Sequence, residues 1–125
     1  MQIRSKDFSR LRQKLIQLCE TRPADLAPFL GDGPMMKGTV YVLRRKCSKP
    51  SCRCARGLRH ESLVLSASVE GRTRLWTIPE DRVEEIRGKA ERYRQFRQAR
   101  TQLIRREQEI LRVLDALEKA RTQEP

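Results

Sequence analysis

The clearest structural signal in this sequence is the run Ser62-Leu-Val-Leu-Ser-Ala-Ser-Val-Glu-Gly-Arg-Thr-Arg-Leu-Trp-Thr-Ile78. Its first half alternates apolar and polar residues, which is typical of a strand with one buried face. Glu70-Gly71 then supplies a two-residue turn, with glycine at a position that needs a positive φ. The run therefore predicts a β-hairpin with strands at residues 62–69 and 72–78.

The alternation also predicts which side chains the hairpin buries. Leu63 and Leu65 point to one face of the first strand, and we expect Leu75 of the second strand to join them against a helix. Three side chains are expected on the opposite, exposed face: Arg72, Arg74 and Trp76. An alternative is that Trp76 belongs to the core and the two arginines form an ordinary solvated face.

One more strand and a long helix complete this part of the predicted fold. Gly38-Thr-Val-Tyr-Val-Leu-Arg-Arg45 is rich in β-branched and aromatic residues and predicts the first strand. A helix is predicted to begin at Pro79-Glu-Asp and to continue to about Thr122. The fold class is therefore α+β, with a three-stranded antiparallel sheet covered by a helix. The helix residues expected to cover the sheet are Val83, Ile86, Ala90, Tyr93 and Phe96.

A further helix is predicted at the N-terminal end, over residues 5–20, with one narrow apolar stripe. Cys19 near its end is expected to be a small buried residue, or alternatively a distant metal ligand. Residues 22–36 contain three prolines and predict a linker with a short turn, anchored to the core by Phe29 and Leu30. The stripe of the first helix consists of Phe8, Leu11, Leu15 and Leu18.

The second half of the long helix extends beyond the small sheet, since some forty helical residues span about 60 Å. Leu103, Ile110 and Leu117 recur every seven residues, which indicates a coiled-coil-like seam. Its partner is either the N-terminal helix, folded back, or a second chain. The sequence thus divides into an N-terminal helix and linker (1–36), a sheet with the first half of the long helix (37–96), and an assembly segment (97–125).

Between the first two strands lies a cysteine-rich segment, Cys47-Ser-Lys-Pro-Ser-Cys-Arg-Cys-Ala-Arg-Gly-Leu-Arg-His60, which holds three of the four cysteines and the only histidine. Three thiolates and one imidazole are a common ligand set for structural zinc. An iron–sulfur cluster and a metal-free basic loop are the alternatives. The predicted ligands are Cys47, Cys52, Cys54 and His60.

The charge of the chain indicates its partner. The formal net charge is +12, and eight basic residues but no acidic ones lie between Lys37 and His60. A field of this sign favours polyanions, and nucleic acid before anionic membranes, because no segment pairs an apolar face with a lysine-rich one. The residues predicted to contact nucleic acid are Arg44, Arg45, Lys46, Lys49, Arg53, Arg56, Arg59, Arg72, Arg74 and Trp76.

Enzymatic activity is not expected, because the sequence shows no Ser/His/Asp grouping and no phosphate-cradling glycine loop. No apolar run reaches membrane-spanning length, and the N-terminus lacks the apolar region of a signal peptide. These features predict a cytoplasmic, nucleoid-associated protein. Cysteines in that reducing compartment favour metal binding over disulfides.

Several motifs resemble those of a family of small prokaryotic proteins with a domain of unknown function. They include Gly38-Thr-Val-Tyr-Val, the Cys-x-Lys-Pro-x-Cys-x-Cys pattern that begins at Cys47, Gly71-Arg-Thr and Tyr93-Arg-Gln-Phe-Arg. The resemblance covers about residues 37–100. Members are often encoded beside transposases and recombinases, so the resemblance implies a mobile-element context without an established activity.

These observations predict a zinc-stabilised DNA-binding accessory protein of a transposon or recombination system. It would bind duplex DNA through the basic sheet and cysteine-rich segment, as a homodimer through the long helix or docked on a transposase or recombinase. Two alternatives remain open: a protein–protein adaptor that docks through the long helix, and an RNA-binding module.

Overall fold

A computed structural model describes residues 5–45, 51 and 60–125. Three α-helices and three strands are present in this part of the chain, with short 3-10 turns at Ala27–Phe29 and Glu80–Arg82. The predicted α+β fold is confirmed. The elements are α1 (Ser5–Glu20), α2 (Arg22–Leu26), β1 (Thr39–Arg45), β2 (His60–Val69), β3 (Arg72–Thr77) and α3 (Val83–Arg121).

The chain forms two compact units that share α3. One unit joins Met1–Asp32 to Gln95–Pro125, and the other is Gly33–Arg94. The first unit contains α1, α2 and α3 from Gln95 onward, whereas the second contains the sheet and the first turns of α3. The predicted division into segments 1–36, 37–96 and 97–125 is a division along the sequence, which these two units do not test, and it stays a prediction.

The sheet has the order β1-β2-β3, and both pairs of neighbouring strands are antiparallel. The turn between β2 and β3 consists of Glu70 and Gly71, whose φ values of 52° and 79° are both positive. Positive φ at both central residues is the property of a type I′ turn, which matches the twist of a hairpin. The predicted hairpin is therefore confirmed.

One face of the sheet unit is closed by the beginning of α3. Val83, Ile86 and Ala90 of the predicted helix stripe do pack there, and the amide of Met36 donates to the carbonyl of Lys89 at 3.0 Å. Burying one large aliphatic side chain stabilises a fold by roughly 1.5–3 kcal/mol. The buried residues of this core are Leu65, Ile78, Ile86 and Ala90, and Met36, Val40, Leu63 and Val83 pack against them.

The strand register corrects the expected facing of β3. Trp76 pairs with Leu65, and Arg74 pairs with Ala67. Residues directly opposite each other in an antiparallel pair share a face. Trp76 and Arg74 therefore lie on the face of the sheet that carries Leu65, whereas Leu75 lies on the other face.

The predicted turn itself accounts for this correction. A two-residue turn at Glu70-Gly71 makes Val69 the partner of Arg72, as the structure shows. Because side chains alternate with a period of two, that one pairing determines the facing of every residue on both strands. Leu75 could not share a face with Leu65 once the turn had two residues.

In the other unit, α1 packs on the second half of α3. Leu18, Ile110 and Val113 are buried together, and Leu11, Leu15 and Leu117 pack against them. The N-terminal helix is thus a partner of the distal helix within one chain. The coiled-coil-like seam at Ile110 and Leu117 packs against α1 of the same chain.

Contacts between residues 22–29 and α3 show that the N-terminal segment and α3 run in opposite directions. Arg22 forms an ion pair with Glu107, and Nε of Arg106 donates to a carboxylate oxygen of Asp25 at 3.2 Å. The Phe29 and Phe96 rings meet edge to face, with centroids 4.9 Å apart. Successive residues of the N-terminal segment therefore contact progressively earlier residues of α3.

Three expectations for this unit are wrong. Phe96 packs against Phe29 instead of covering the sheet. Leu30 does not anchor the linker, since it is 81% exposed. Cys19 is exposed, not buried, because it directly follows the buried Leu18 on α1 and successive helical residues point about 100° apart.

Among the described glycines of the sheet unit, Gly38 should be the least replaceable. Its φ is +143°, and an added Cβ would lie 2.7 Å from the Ser66 carbonyl oxygen and 2.8 Å from a Leu65 methyl group. We expect Gly38→Ala to lower the free energy of unfolding by about 2 kcal/mol, measured by urea denaturation. Gly31→Ala is the control, because Gly31 has open space around it and no left-handed φ. Equal stability of the two variants would contradict the prediction.

Glu85 in the first turn of α3 should titrate unusually low. Arg82 donates to it at 3.1 Å and Lys89 at 2.8 Å, and these bonds lower the pKa of Glu85 from 4.5 to about 2. The stabilising effect is thus present above pH 4.5 and is lost as the pH falls towards 2. Carboxyl NMR titration should show this low pKa, and Arg82→Ala should raise it while Arg94→Ala leaves it unchanged.

Candidate nucleic-acid interface and metal site

Of the four predicted metal ligands, the structure describes His60 only. Cys47, Cys52 and Cys54 lie outside the described residues. His60 is the first residue of β2, is exposed, and pairs with Arg45, the last residue of β1. This pairing holds together the two ends of the segment that carries the three cysteines.

The donor set fits a structural zinc ion. Three thiolates and an imidazole satisfy the tetrahedral preference of zinc without leaving a position for a reactive water. Within the described residues, no group of three or more His, Cys, Asp and Glu side chains could hold a metal. The metal set therefore stays a prediction for the segment between β1 and β2. The pairing of β1 with β2 brings His60 next to Arg45, the last residue of β1.

Five of the predicted nucleic-acid contacts also lie outside the described residues, and five are described. Arg44 and Arg45 are consecutive on β1 and consequently point to opposite faces of the sheet. Arg44 lies across from Glu61, and its Nε is 3.0 Å from a carboxylate oxygen of that residue. The contacts outside the described residues are Lys46, Lys49, Arg53, Arg56 and Arg59.

The other three described contacts form a row on the edge strand β3. Arg72, Arg74 and Trp76 alternate along the strand, share one face and are all exposed, with Trp76 at 43%. Alternate residues of a strand are about 7 Å apart, so the row is about 14 Å long. The helix covers the residues of β1 and β2 on this face, including Val40, Leu63 and Leu65, and leaves β3 accessible.

The row lies away from the end of the sheet that carries the cysteine-rich segment. Arg44 faces Glu61 of β2, whereas Arg74 faces Ala67, six residues further along that strand. Six residues of a strand span about 20 Å. Arg44 and Arg74 therefore lie towards opposite ends of the sheet, and the predicted contact surface as a whole stays a prediction.

Ion pairing distinguishes these cations from two arginines near the start of the long helix. Arg82 and Arg94 on or beside α3 are held by Glu85 and Glu91. Among the ion pairs of the described chain, none involves Arg72 or Arg74. Cations without carboxylate partners need not give up an ion pair to meet a phosphate, so Arg72 and Arg74 are electrostatically available to an anionic partner.

One exposed aromatic residue on β1 was not among the predicted site residues. Tyr41 is exposed and lies on the same face of the sheet as Arg45 and His60. Its position four residues before Arg45 on a strand could have shown this, because residues i and i+4 share a face. Val64 of the central strand β2 lies on this face between Tyr41 and Thr77 and is only 2% exposed.

Comparison with known proteins places this small α+β protein in a family. The family model described as Domain of unknown function (DUF6788) matches residues 8–88, about two thirds of the chain. The match includes most of α1, all three strands and the first turns of α3. The chain belongs to this family, in agreement with the expected domain of unknown function.

No curated protein and no solved structure matches the sequence. In the part of the chain that the structure describes, no helix has the length and apolar character needed to cross a bilayer.

Metal content should depend on the cysteine-rich segment alone. We expect purified protein to contain one zinc ion per chain by elemental analysis, because one tetrahedral set is available. Cys52→Ser should remove the zinc and lower the thermal stability, since a structural metal contributes to folding. Cys19→Ser is the matched control and should retain the zinc, because Cys19 is an exposed free thiol of α1. Metal-free wild-type protein with unchanged stability would refute the site.

Proposed function

We propose that the protein is a zinc-stabilised DNA-binding accessory factor that binds duplex DNA through the β3 row and the basic segment between β1 and β2. The observation that carries the proposal is the row itself: two arginines and a tryptophan are exposed together on an edge strand, and the described structure gives the arginines no carboxylate partner. The net charge of +12 supports the same kind of partner.

Each residue of the row has a distinct physical role in this proposal. Arg72 and Arg74 neutralise phosphates or donate to guanine edges, which are the commonest arginine contacts to DNA. Trp76 packs its ring on a sugar or base. A two-stranded ribbon fits the major groove, and β2 and β3 form such a ribbon at the edge of the sheet, with a tight turn at its end.

The zinc in this proposal is structural. Cys47, Cys52, Cys54 and His60 would hold it and would keep the basic segment in one arrangement, so that its cations reach the phosphates without a large ordering cost. Binding, and no catalytic step, is the role assigned to the chain.

The genomic context is a further part of the proposal. The Cys-x-Lys-Pro-x-Cys-x-Cys motif resembles proteins that are often encoded beside transposases and recombinases. We infer that a transposase or recombinase is the functional partner and that the protein acts at the nucleoid. The inference rests on the resemblance of the motif, because the matched family is described only as a domain of unknown function.

Duplex binding should fall steeply with salt and should depend on the β3 row. Affinity for a labelled duplex, measured by fluorescence anisotropy between about 50 and 200 mM salt, should decrease because phosphate contacts release counterions. The double variant Arg72→Ala/Arg74→Ala should weaken binding and reduce the slope of log affinity against log salt by about two.

The matched control is Arg82→Ala/Arg94→Ala, which removes the same charge from arginines that are already paired with Glu85 and Glu91. It should keep most of the affinity. An equal loss in the control would show that binding follows overall charge instead of the β3 row. An RNA competitor that displaces the duplex at lower concentration would favour the RNA-binding alternative, and no binding at all would favour the adaptor.

A further inference from the structure

A second apolar surface on α3 is left uncovered when α1 packs. Ile110, Val113 and Leu117 are used against α1, whereas Ile104 is 44% exposed and Leu111 is 57% exposed. Residues seven positions apart lie on the same side of a helix. Ile104 and Leu111 therefore form the centre of an exposed stripe that is distinct from the seam facing α1.

Charged residues continue this stripe at both ends, and the two ends have opposite signs. Arg97 and Arg100 precede Ile104, and Asp115 and Glu118 follow Leu111. Spacings of three and four residues keep all of them on one side of the helix. All four are exposed, and within the described part of the chain no ion pair involves any of them.

The order of the stripe is symmetric about a point between Glu107 and Gln108. Going outward from that point, Ile104 corresponds to Leu111, Arg100 to Asp115, and Arg97 to Glu118. A second copy of the same helix, laid antiparallel, therefore places each apolar residue against an apolar one. It also places each of the four charges against its opposite.

We propose that this stripe, from Arg97 to Glu118, is the docking surface for a second copy of the chain, with the two α3 helices antiparallel. The contact is isologous, since the same patch serves both copies and a two-fold axis relates them. It spans about 32 Å at 1.5 Å per residue. Opposite charges at flanking positions set the direction and register of paired helices.

A parallel arrangement in the same register is disfavoured by the same charges. It would set Arg97 and Arg100 against their own copies and would do the same with Asp115 and Glu118. Such like-charge contacts are destabilising and select against the wrong orientation. The centre of the antiparallel contact carries no extra unpaired charge, because Glu107 is held by Arg22 of its own chain and Gln108 is neutral.

The dimer is independent of nucleic acid and is tested without it. Sedimentation of the full-length protein at rising concentration should show the mass moving from 14.7 kDa towards twice that value. Leu111→Glu should keep the protein monomeric at concentrations where the wild type is dimeric. The matched control is Ile16→Glu, because Ile16 on α1 is also 57% exposed but lies off the stripe. This control should dimerise like the wild type.

A charge exchange provides the second, stricter test. Arg100→Glu and Asp115→Arg should each weaken dimerisation, since each sets like charges together. The double variant carrying both changes should restore it, because the two signs are simply exchanged. A chain that stays monomeric at every concentration, an equal loss in Ile16→Glu, or a double variant that is not rescued would each overturn the proposal. If the wild-type chain stays monomeric at every concentration and still binds duplex, the dimer is overturned and the proposed function is left intact.

Discussion

The structure depends on the burial of two small apolar surfaces against one long helix. A three-stranded sheet is too small to be stable without a covered face, and a single helix of sixteen residues such as α1 is marginal in water. The first turns of α3 cover the sheet at Leu65 and Ile78, and its second half covers α1 at Leu18. Two compact units therefore share one helix, and each would lose its core without it.

The same arrangement determines which charges are available to a partner. The first turn of α3 carries acids that hold Arg82 and Lys89, and Glu91 holds Arg94 further along. No described ion pair involves the arginines of β3, which are exposed at the edge of the sheet. An unpaired edge strand is also a surface that proteins normally protect with charged residues. Arg72 and Arg74 serve that purpose whether or not nucleic acid is bound.

The hairpin was predicted correctly, whereas the face of the sheet on which the β3 side chains lie was not, and the difference has a physical reason. Strand periodicity and the Glu70-Gly71 turn are local properties, and both are present in the structure. The side on which Trp76 lies depends on how the turn couples two strands, and it reverses when the register changes by one residue. In the same way, heptad spacing at Ile110 and Leu117 indicated a seam but did not identify the partner, because an intramolecular and an intermolecular helix satisfy the same pattern.

Sequence by itself determined the fold class, the order and approximate bounds of the elements, the basic character of the chain and the single segment with metal-ligand spacing. These follow from periodicity, turn chemistry and composition, which are local or additive. Tertiary structure decided that α1 packs on the distal part of α3, that Phe96 meets Phe29, that Cys19 is exposed and that Arg44 and Arg74 lie towards opposite ends of the sheet. These depend on contacts between residues far apart in the chain, where several packings satisfy one pattern and the burial of the most apolar surface selects among them.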